Sequence, residues 1–132
     1  MDFVSIRIIT GDVARLVDFY ERATGVQAGW SNQDFAELRT ASATLAIAST
    51  RTVPLFAPDA ARPSDNRSVI IEFLVDDVDG VHQNLTGFVE DFVNEPTTMP
   101  WGNRSLLFRD PDGNLVNFFT PVTQAAIDKF AR

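Results

Sequence analysis

The hydrophobic pattern of residues 1–49 predicts a strand, a helix and three more strands. β-Branched and apolar residues dominate Phe3–Thr10, which is typical of a strand. Apolar residues then recur at helical spacing over Val13–Thr24, between the N-cap candidate Asp12 and the C-terminal Gly25. Short strands are predicted after this helix over Gly29–Ser31, Phe35–Ala41 and Thr44–Ala48. The first half therefore has the order β-α-β-β-β.

The second half of the chain repeats this order after a proline-containing connection over residues 50–67. A strand is predicted over Ser68–Val75, and a helix follows the N-cap candidate Asp77 and ends near Gly87. Three further strands are predicted over Phe88–Val93, Arg104–Arg109 and Leu115–Thr120, with a turn over residues 110–114. Asp77 lies 65 positions after Asp12, so the two halves form an internal repeat.

The repeat predicts a single domain over residues 1–132. Module one spans 1–49, module two spans 68–121, and residues 122–132 form a C-terminal tail. Within the connection, the apolar residues Leu55 and Phe56 are expected either to cover an edge of the core or to act as a lid.

Composition and charge narrow the classes of function. The net charge of −7 is opposite to the basic face expected of a nucleic-acid binder, and it favours cationic or neutral ligands or simply solubility. The chain has no cysteine, which excludes disulfides, thiolate metal sites and cysteine nucleophiles. No apolar run approaches the roughly 18 residues of a membrane helix, so we expect a cytoplasmic protein without a membrane partner.

Several motifs in this order resemble the vicinal oxygen chelate superfamily, which contains glyoxalases, bleomycin-resistance proteins and dioxygenases. These motifs are Asp12-Val13, Asp18-Phe19-Tyr20-Glu21, Phe73-Leu74-Val75-Asp76-Asp77-Val78-Asp79, Pro100-Trp101-Gly102 and Phe108-Arg109-Asp110-Pro111-Asp112-Gly113-Asn114. The resemblance implies an α+β fold in which two βαβββ modules form an open cupped mixed sheet with the helices outside. It also implies a homodimer and a ligand or metal inside the cup. Whether the modules pair within one subunit or between two stays open.

The positions at which the resemblance implies metal ligands are occupied by Ser5, Ala46, Ile70 and Asn117. Ala46 and Ile70 have no donor atom, and zinc or iron favours imidazole and carboxylate over a hydroxyl or an amide. The only histidine, His82, is expected to face solvent on the second helix. We therefore predict no metal and no cofactor.

Strand alternation predicts which side chains face the cavity. Ser5 would share its face with Phe3, Arg7 and Ile9, while Val4, Ile6 and Ile8 face the helices. Ile70 would share its face with Glu72 and Leu74, and Asn117 with Leu115 and Phe119. Arg7 and Glu72 occupy equivalent positions of the repeat. An unpaired buried charge is unfavourable, so these two residues are expected to form an ion pair, to contact a polar ligand, or both.

Aromatic residues could supply stacking surfaces around this cavity. Trp30 and Trp101 are candidates for the pocket wall, with the core or a dimer interface as the alternative, and Phe35 is expected to fill the core. The candidate ligand-binding residues are Ser5, Arg7, Trp30, Ile70, Glu72, Trp101, Asn117 and Phe119.

Three functions follow as hypotheses. The leading one is a metal-independent binding protein that sequesters a cationic or aromatic natural product. The second is a metal-free enzyme, lyase- or isomerase-like, in which Arg7 orients an anionic group and Glu72 moves a proton. The third is a structural or regulatory dimer. Whether the chain catalyses a reaction stays open.

Overall fold

The computed structural model describes residues 1–131 and contains two compact units, Met1–Asn66 and Arg67–Arg132. In the first unit, strands β1–β4 form one sheet in the order β1-β4-β3-β2, with β1 parallel to β4 and the other pairs antiparallel. Its elements are β1 (Ser5–Thr10), α1 (Val13–Thr24), β2 (Gly29–Asn32), β3 (Phe35–Arg39), β4 (Thr44–Ser49) and a 3₁₀ helix (Thr50–Leu55).

Helix α1 has the predicted bounds because both of its ends are capped. Asp12 accepts a hydrogen bond from the backbone N–H of Arg15 at 3.1 Å, which satisfies a donor of the first turn. Gly25 takes a left-handed conformation with φ at 73° and donates its N–H to the carbonyl of Glu21. The apolar side of α1, including Leu16 and Tyr20, is buried in the core of the unit.

The second unit repeats the arrangement with strands β5–β8 in the order β5-β8-β7-β6. Strand β5 is parallel to β8, and the other pairs are antiparallel. The elements are β5 (Ile70–Leu74), α2 (Val78–Leu85), β6 (Thr97–Thr98), β7 (Asn103–Arg109), β8 (Leu115–Pro121) and α3 (Gln124–Lys129). The prediction of an α+β fold with two βαβββ modules and open mixed sheets is confirmed.

An aromatic chain fills the core of the second unit. The rings of Phe108 and Phe118 meet edge to face with centroids 5.0 Å apart, and Phe118 meets Phe73 at 5.4 Å. Phe92 extends the chain from Phe108, and His82 contacts Phe92 at 5.1 Å. Edge-to-face aromatic pairs add attraction beyond simple burial. His82 is therefore half-buried against a ring, which corrects the expectation that it faces solvent.

The predicted strand over Phe88–Val93 is wrong. Phe92 makes only an isolated bridge to Phe108, and the strand of this module that precedes β7 is the short β6. The side chain of Asn94 occupies the edge of β7 because its Oδ1 accepts from the N–H of Leu107 at 2.7 Å. A side-chain amide thus takes the place of a backbone partner, and no regular ladder continues there.

The C-terminal tail contains a helix that the sequence analysis did not predict. Thr123 caps α3 by accepting from the N–H of Ala126, and the carbonyl of Gly102 accepts from the N–H groups of Val122 and Thr123. Phe130, just after α3, packs on Phe119 with ring centroids 5.0 Å apart. Among residues 1–131, no helix has both the length and the apolar character needed to cross a bilayer.

Candidate functional site

Each sheet has one face covered by its helix and one opposite face, called here the open face of that unit. In β1, Ile8 and Thr10 are buried, whereas Ser5 and Arg7 are exposed. Ile8, predicted to face the helices, is thus buried, and Ser5 and Arg7 lie on the opposite face. The register adds residues of β4 and β3 to the same face, so the first open face contains Ser5, Arg7, Ile9, Ala46, Ala48, Phe35 and Glu37.

The guanidinium group of Arg7 lies over two aromatic rings. Its Cζ atom is 4.9 Å from the centroid of Phe35 and 5.5 Å from that of Phe56, both within the range of cation–π attraction. Within Met1–Asn66, all of which the structure describes, no carboxylate oxygen lies within 4.0 Å of Arg7. The predicted Arg7–Glu72 ion pair would join the two units and stays a prediction.

Glu37 stands in the same row of the sheet as Arg7. The register pairs Arg7 with Ala46 and Ala46 with Glu37, which separates the two charged residues by two strand spacings, roughly 10 Å. Glu37 forms an ion pair with Arg39 at 3.1 Å. Glu37 was not predicted as a site residue, although the period-2 alternation of Phe35–Arg39 places it on the same face of β3 as Phe35. Phe56 was predicted only to cover an edge of the core or to act as a lid.

In the second unit, the backbone N–H of Val78 donates to the side-chain oxygen of Thr120 at 3.0 Å. Thr120 therefore points toward α2, and the alternate residues of β8 point away from it. The register extends this second open face to β5 and β7. It contains Ile70, Glu72, Leu74, Leu107, Leu115, Asn117 and Phe119, as predicted for the six residues of β5 and β8.

Glu72 and Asn117 are directly paired on this face. Nδ2 of Asn117 donates a hydrogen bond to Oε2 of Glu72 at 2.8 Å, and the two residues are register partners across β5 and β8. A carboxylate only accepts hydrogen bonds, so the amide nitrogen of Asn117 must face it. The structure therefore brings together two of the predicted site residues.

The other amide atom of Asn117 is left without a partner. Asn117 is 8% exposed, and its Oδ1 is a buried acceptor with no hydrogen bond among the described residues. A buried acceptor without a donor is unfavourable by about 1–3 kcal/mol. A ligand N–H or O–H that reached this oxygen would relieve that penalty. Glu72, which is exposed, offers acceptor atoms next to it.

One end of the second open face is closed by the tail. Phe119 is 6% exposed and lies under Phe130, and its register partner Ser105 is also buried. The structure therefore places Phe119 in contact with the protein's own C-terminal segment. Ile70, at the other end of this face, is exposed.

The two tryptophans lie outside these groups. Trp30 pairs in register with Ala36, which is fully buried on the side of the sheet that α1 covers, so Trp30 does not share a face with Arg7. Trp101 is 68% exposed and precedes β7, whose first residue, Asn103, pairs with Pro121 at the far end of β8. That end is four positions, roughly 13 Å, from the row of Asn117.

The side chains at the metal-ligand positions do not fit a metal. Ala46 and Ile70 carry no donor atom, and Ser5 and Asn117 offer only a neutral hydroxyl and a neutral amide oxygen. Among residues 1–131, no three histidine or carboxylate side chains are grouped closely enough to hold a metal ion. Zinc and iron sites in proteins require such a set, and a single exposed glutamate does not supply it.

The clearest electrostatic perturbation lies on the helix-covered side of the second sheet. Arg104 binds Asp79 of α2 through two hydrogen bonds, Nε to Oδ2 at 2.8 Å and NH2 to Oδ1 at 3.0 Å. This bidentate contact lowers the pKa of Asp79 and raises the pKa of Arg104. The pair ties α2 to β7 and lies away from the open face.

Fold and site together define a class of protein with two successive βαβββ units, each with one open sheet face. The sequence pattern of the Glyoxalase/Bleomycin resistance protein/Dioxygenase superfamily matches residues 2–118. The chain belongs to this superfamily, as the resemblance predicted.

Relatives agree with this assignment. The uncharacterised protein YraH of Bacillus subtilis (strain 168) is 23% identical over 125 residues, which cover 90% of this chain and 98% of YraH. A glyoxalase/bleomycin resistance protein/dioxygenase family enzyme from Burkholderia phytofirmans PsJN has a TM-score of 0.81 at 18% identity, covering 92% of this chain and all (100%) of the other. A superfamily protein from Nocardioides has a TM-score of 0.76 at 20% identity, covering 94% and 85%. At these identities the structures show a shared fold.

Proposed function

We propose that this protein binds a small organic molecule without a metal, and that the ligand is a cationic or otherwise N–H-donating aromatic compound. The observation that carries this proposal is the hydrogen bond from Asn117 to Glu72 on the second open face. The resemblance implies a carboxylate ligand at the position of Asn117. Here an amide stands there and holds a neighbouring glutamate in place.

Two oxygen atoms of this pair are free acceptors. Oδ1 of Asn117 has no donor, and Oε1 of Glu72 is a carboxylate oxygen. Two acceptors side by side match a protonated amine, an amidine or a guanidine, each of which presents several N–H groups. The net charge of −7 favours the approach of such a cation.

The surroundings of the pair supply apolar contact. Ile70 and Leu74 flank Glu72 on β5, and Leu107 and Leu115 lie on the neighbouring strands of the same face. A few polar atoms in an apolar wall are typical of small-molecule sites. The apolar part of an aromatic cation would pack against these aliphatic side chains.

Benzamidine titration, followed by NMR in buffer containing EDTA, tests the proposal. We expect amide shifts in β5 and β8, and we expect Glu72→Gln to weaken binding about tenfold because it removes a charge-assisted hydrogen bond. Glu37→Gln, which removes a carboxylate from the other open face, is the matched control and should leave benzamidine binding unchanged. Elemental analysis that found about one zinc, iron or manganese ion per chain, or equal benzamidine binding by Glu72→Gln, would overturn the proposal.

The same pair favours a second candidate, a metal-free enzyme. A carboxylate whose orientation is fixed by an amide is suited to accept a proton from a bound substrate. This candidate predicts that the wild-type protein changes the mass or the proton-exchange pattern of a bound compound. Glu72→Gln should bind the compound and leave it unchanged, whereas a sequestering protein returns it intact in both forms.

In the cell, we propose that the protein is a cytoplasmic homodimer that sequesters a cationic natural product. Light scattering coupled to size-exclusion chromatography measures the assembly, and we expect a mass of twice 14.6 kDa. Bacteria that express the wild-type protein should tolerate a higher dose of the bound compound than bacteria that express Glu72→Gln. A dimer that binds no small molecule would instead favour a structural or regulatory role.

A further inference from the structure

We propose that the first open face binds a planar anionic group, such as the carboxylate of an aromatic acid, and that Arg7, Phe35 and Phe56 form the site. The proposal goes beyond the function above because it uses residues of the other unit and a ligand group of opposite charge.

The contacts of Arg7 leave its hydrogen-bond donors unused within its unit. A guanidinium group is flat, with five N–H donors around its edge. The rings of Phe35 and Phe56 lie 4.9 and 5.5 Å from Cζ, so they contact the group through their π faces and do not accept conventional hydrogen bonds. The N–H edge can then bind both oxygens of a carboxylate.

Three other arginines of this unit pair with carboxylates, whereas Arg7 contacts aromatic rings. Arg39, Arg51 and Arg62 each have a carboxylate partner, at 3.1, 2.6 and 3.2 Å from Glu37, Asp34 and Asp65. Arg7 lies on a strand whose other side chains are mostly aliphatic, and within Met1–Asn66 it has no such partner. An anionic group of a ligand can therefore bind the guanidinium of Arg7 without displacing a carboxylate of the same unit.

Apolar surface for the rest of the ligand lies beside the guanidinium. Phe56 is 73% exposed and Leu55 is 83% exposed. Leu55 is the last residue of the 3₁₀ helix that begins at the end of β4, and Phe56 follows it. Exposed large apolar side chains next to a charged group are a common feature of ligand sites. An aromatic ring that stacks on Phe56 would place its carboxylate at Arg7.

Glu37 limits which charges a ligand can carry at one end of the site. It lies in the row of Arg7, beyond Ala46, and is held by Arg39. Its charge would repel a second anionic group at that end, since like charges in close proximity are unfavourable. We therefore infer that the ligand carries one anionic group at Arg7 and a neutral ring, in preference to two carboxylates at opposite ends.

NMR titration with 2-naphthoate tests this site, with 2-naphthamide as the neutral analogue of the same shape. We expect naphthoate to shift amide signals of β1 and of the 3₁₀ helix. We expect naphthamide to bind the wild type about tenfold more weakly than naphthoate does. Naphthoate should bind Arg7→Met about tenfold more weakly than it binds the wild type, because a charge-assisted hydrogen bond is lost in both cases. Phe56→Ala should also weaken binding. Arg15→Met removes an equal charge from α1, on the other side of the sheet, and should retain the wild-type affinity.

The outcomes separate this site from the function proposed above. Wild-type affinity of naphthoate for Arg7→Met, or shifts confined to the second unit, would refute the site at Arg7 and leave benzamidine binding at Glu72 unaffected. Circular dichroism and the urea midpoint of each variant establish that it is folded. Arg7→Lys keeps the charge and loses the planar fork, so we expect it to bind naphthoate with an affinity between those of the wild type and Arg7→Met.

Discussion

Nδ2 of Asn117 donates to Oε2 of Glu72 over 2.8 Å, across the parallel strands β5 and β8. The contact links a nearly buried amide to an exposed carboxylate, and it occupies the position where the superfamily resemblance implies a metal ligand. A single polar pair therefore determines what this face can bind. It also makes the face sensitive to the charge at residue 117.

The substitution Asn117→Asp tests this sensitivity through stability. It replaces a hydrogen-bond donor with a second carboxylate beside Glu72. Two negative charges are then adjacent, whereas the wild type has one carboxylate next to a neutral amide. We expect the free energy of unfolding at pH 8 to fall by about 1–3 kcal/mol, the range for a broken hydrogen bond to a charged group. Urea denaturation of wild type and variant measures the difference.

The pH dependence of the same variant has a definite sign. Repulsion raises the pKa of a carboxyl in the folded pair above its unfolded value of about 4. The deficit in stability should therefore be small at pH 4, where the pair holds a proton, and should grow as the pH rises. Asn84→Asp makes the same change on the exposed surface of α2 and serves as control. An equal deficit at pH 4 and pH 8 would contradict the charge-repulsion argument.

Gly102 is expected to tolerate substitution less well than Gly25 or Gly11. Its φ is 95°, and a Cβ there would collide with Oγ1 of Thr123 and lie 3.1 Å from Cβ of Ala126. We expect Gly102→Ala to reduce the free energy of unfolding by about 2–4 kcal/mol, from backbone strain and overpacking together.

The two reference glycines separate those contributions. Gly25 has a φ of 73° but open space around it, so Gly25→Ala should lose only the strain, about 1 kcal/mol. Gly11 has open space and no positive φ, and Gly11→Ala should be nearly neutral. Thermal or urea unfolding of the three variants checks the order. If Gly102→Ala lost no more unfolding free energy than Gly25→Ala, the contact of Gly102 with Thr123 and Ala126 would not be tight.

Local signals in the sequence were sufficient to predict most of the helices and strands. Helix α1 begins and ends as predicted because Asp12 and Gly25 are strong caps that act within one turn. The alternation of Ser5–Thr10 also placed Arg7 on the open face, since one side of that strand is buried against the core. Both predictions depend only on neighbours in the sequence.

Contacts between distant residues decided the parts that were missed. An apolar run predicted a strand over Phe88–Val93, but its backbone pairing with β7 is confined to Asp91–Val93, and the side chain of Asn94 binds the next N–H of β7, that of Leu107. Helix α3 has six residues, too few for a clear periodicity, and Phe130 holds it against Phe119. The partner of Glu72 is Asn117, 45 positions away, and only the register of β5 and β8 reveals it.

Phe118 is the centre of the aromatic core in the second unit, with contacts to Phe73 and Phe108. It is 1% exposed, so Phe118→Ala should leave a cavity and lower the free energy of unfolding by about 3–5 kcal/mol. Phe3→Ala removes the same atoms from a ring that is 80% exposed and should change stability by less than about 0.5 kcal/mol. Equal losses for the two variants in urea denaturation would contradict this assignment of the core.

The bidentate contact between Arg104 and Asp79 predicts how acid affects the second unit. The hydrogen bonds from Arg104 lower the pKa of Asp79 below its usual 3.8, and burial opposes this only in part. Because the pKa is lower in the folded state, the stabilisation is complete above 3.8 and is lost as the pH falls through the lowered value.

The comparison of wild type with Asp79→Asn isolates that stabilisation. The difference between their urea midpoints should be constant from pH 5 to pH 8 and should shrink below about pH 4, where carboxylates take up protons. NMR titration of the Asp79 carboxyl carbon in Arg104→Met should show the pKa returning toward 3.8. Asp65→Asn, in the more exposed pair with Arg62, is the control and should show a smaller difference. A pKa of Asp79 that did not change in Arg104→Met would assign the shift to another cause.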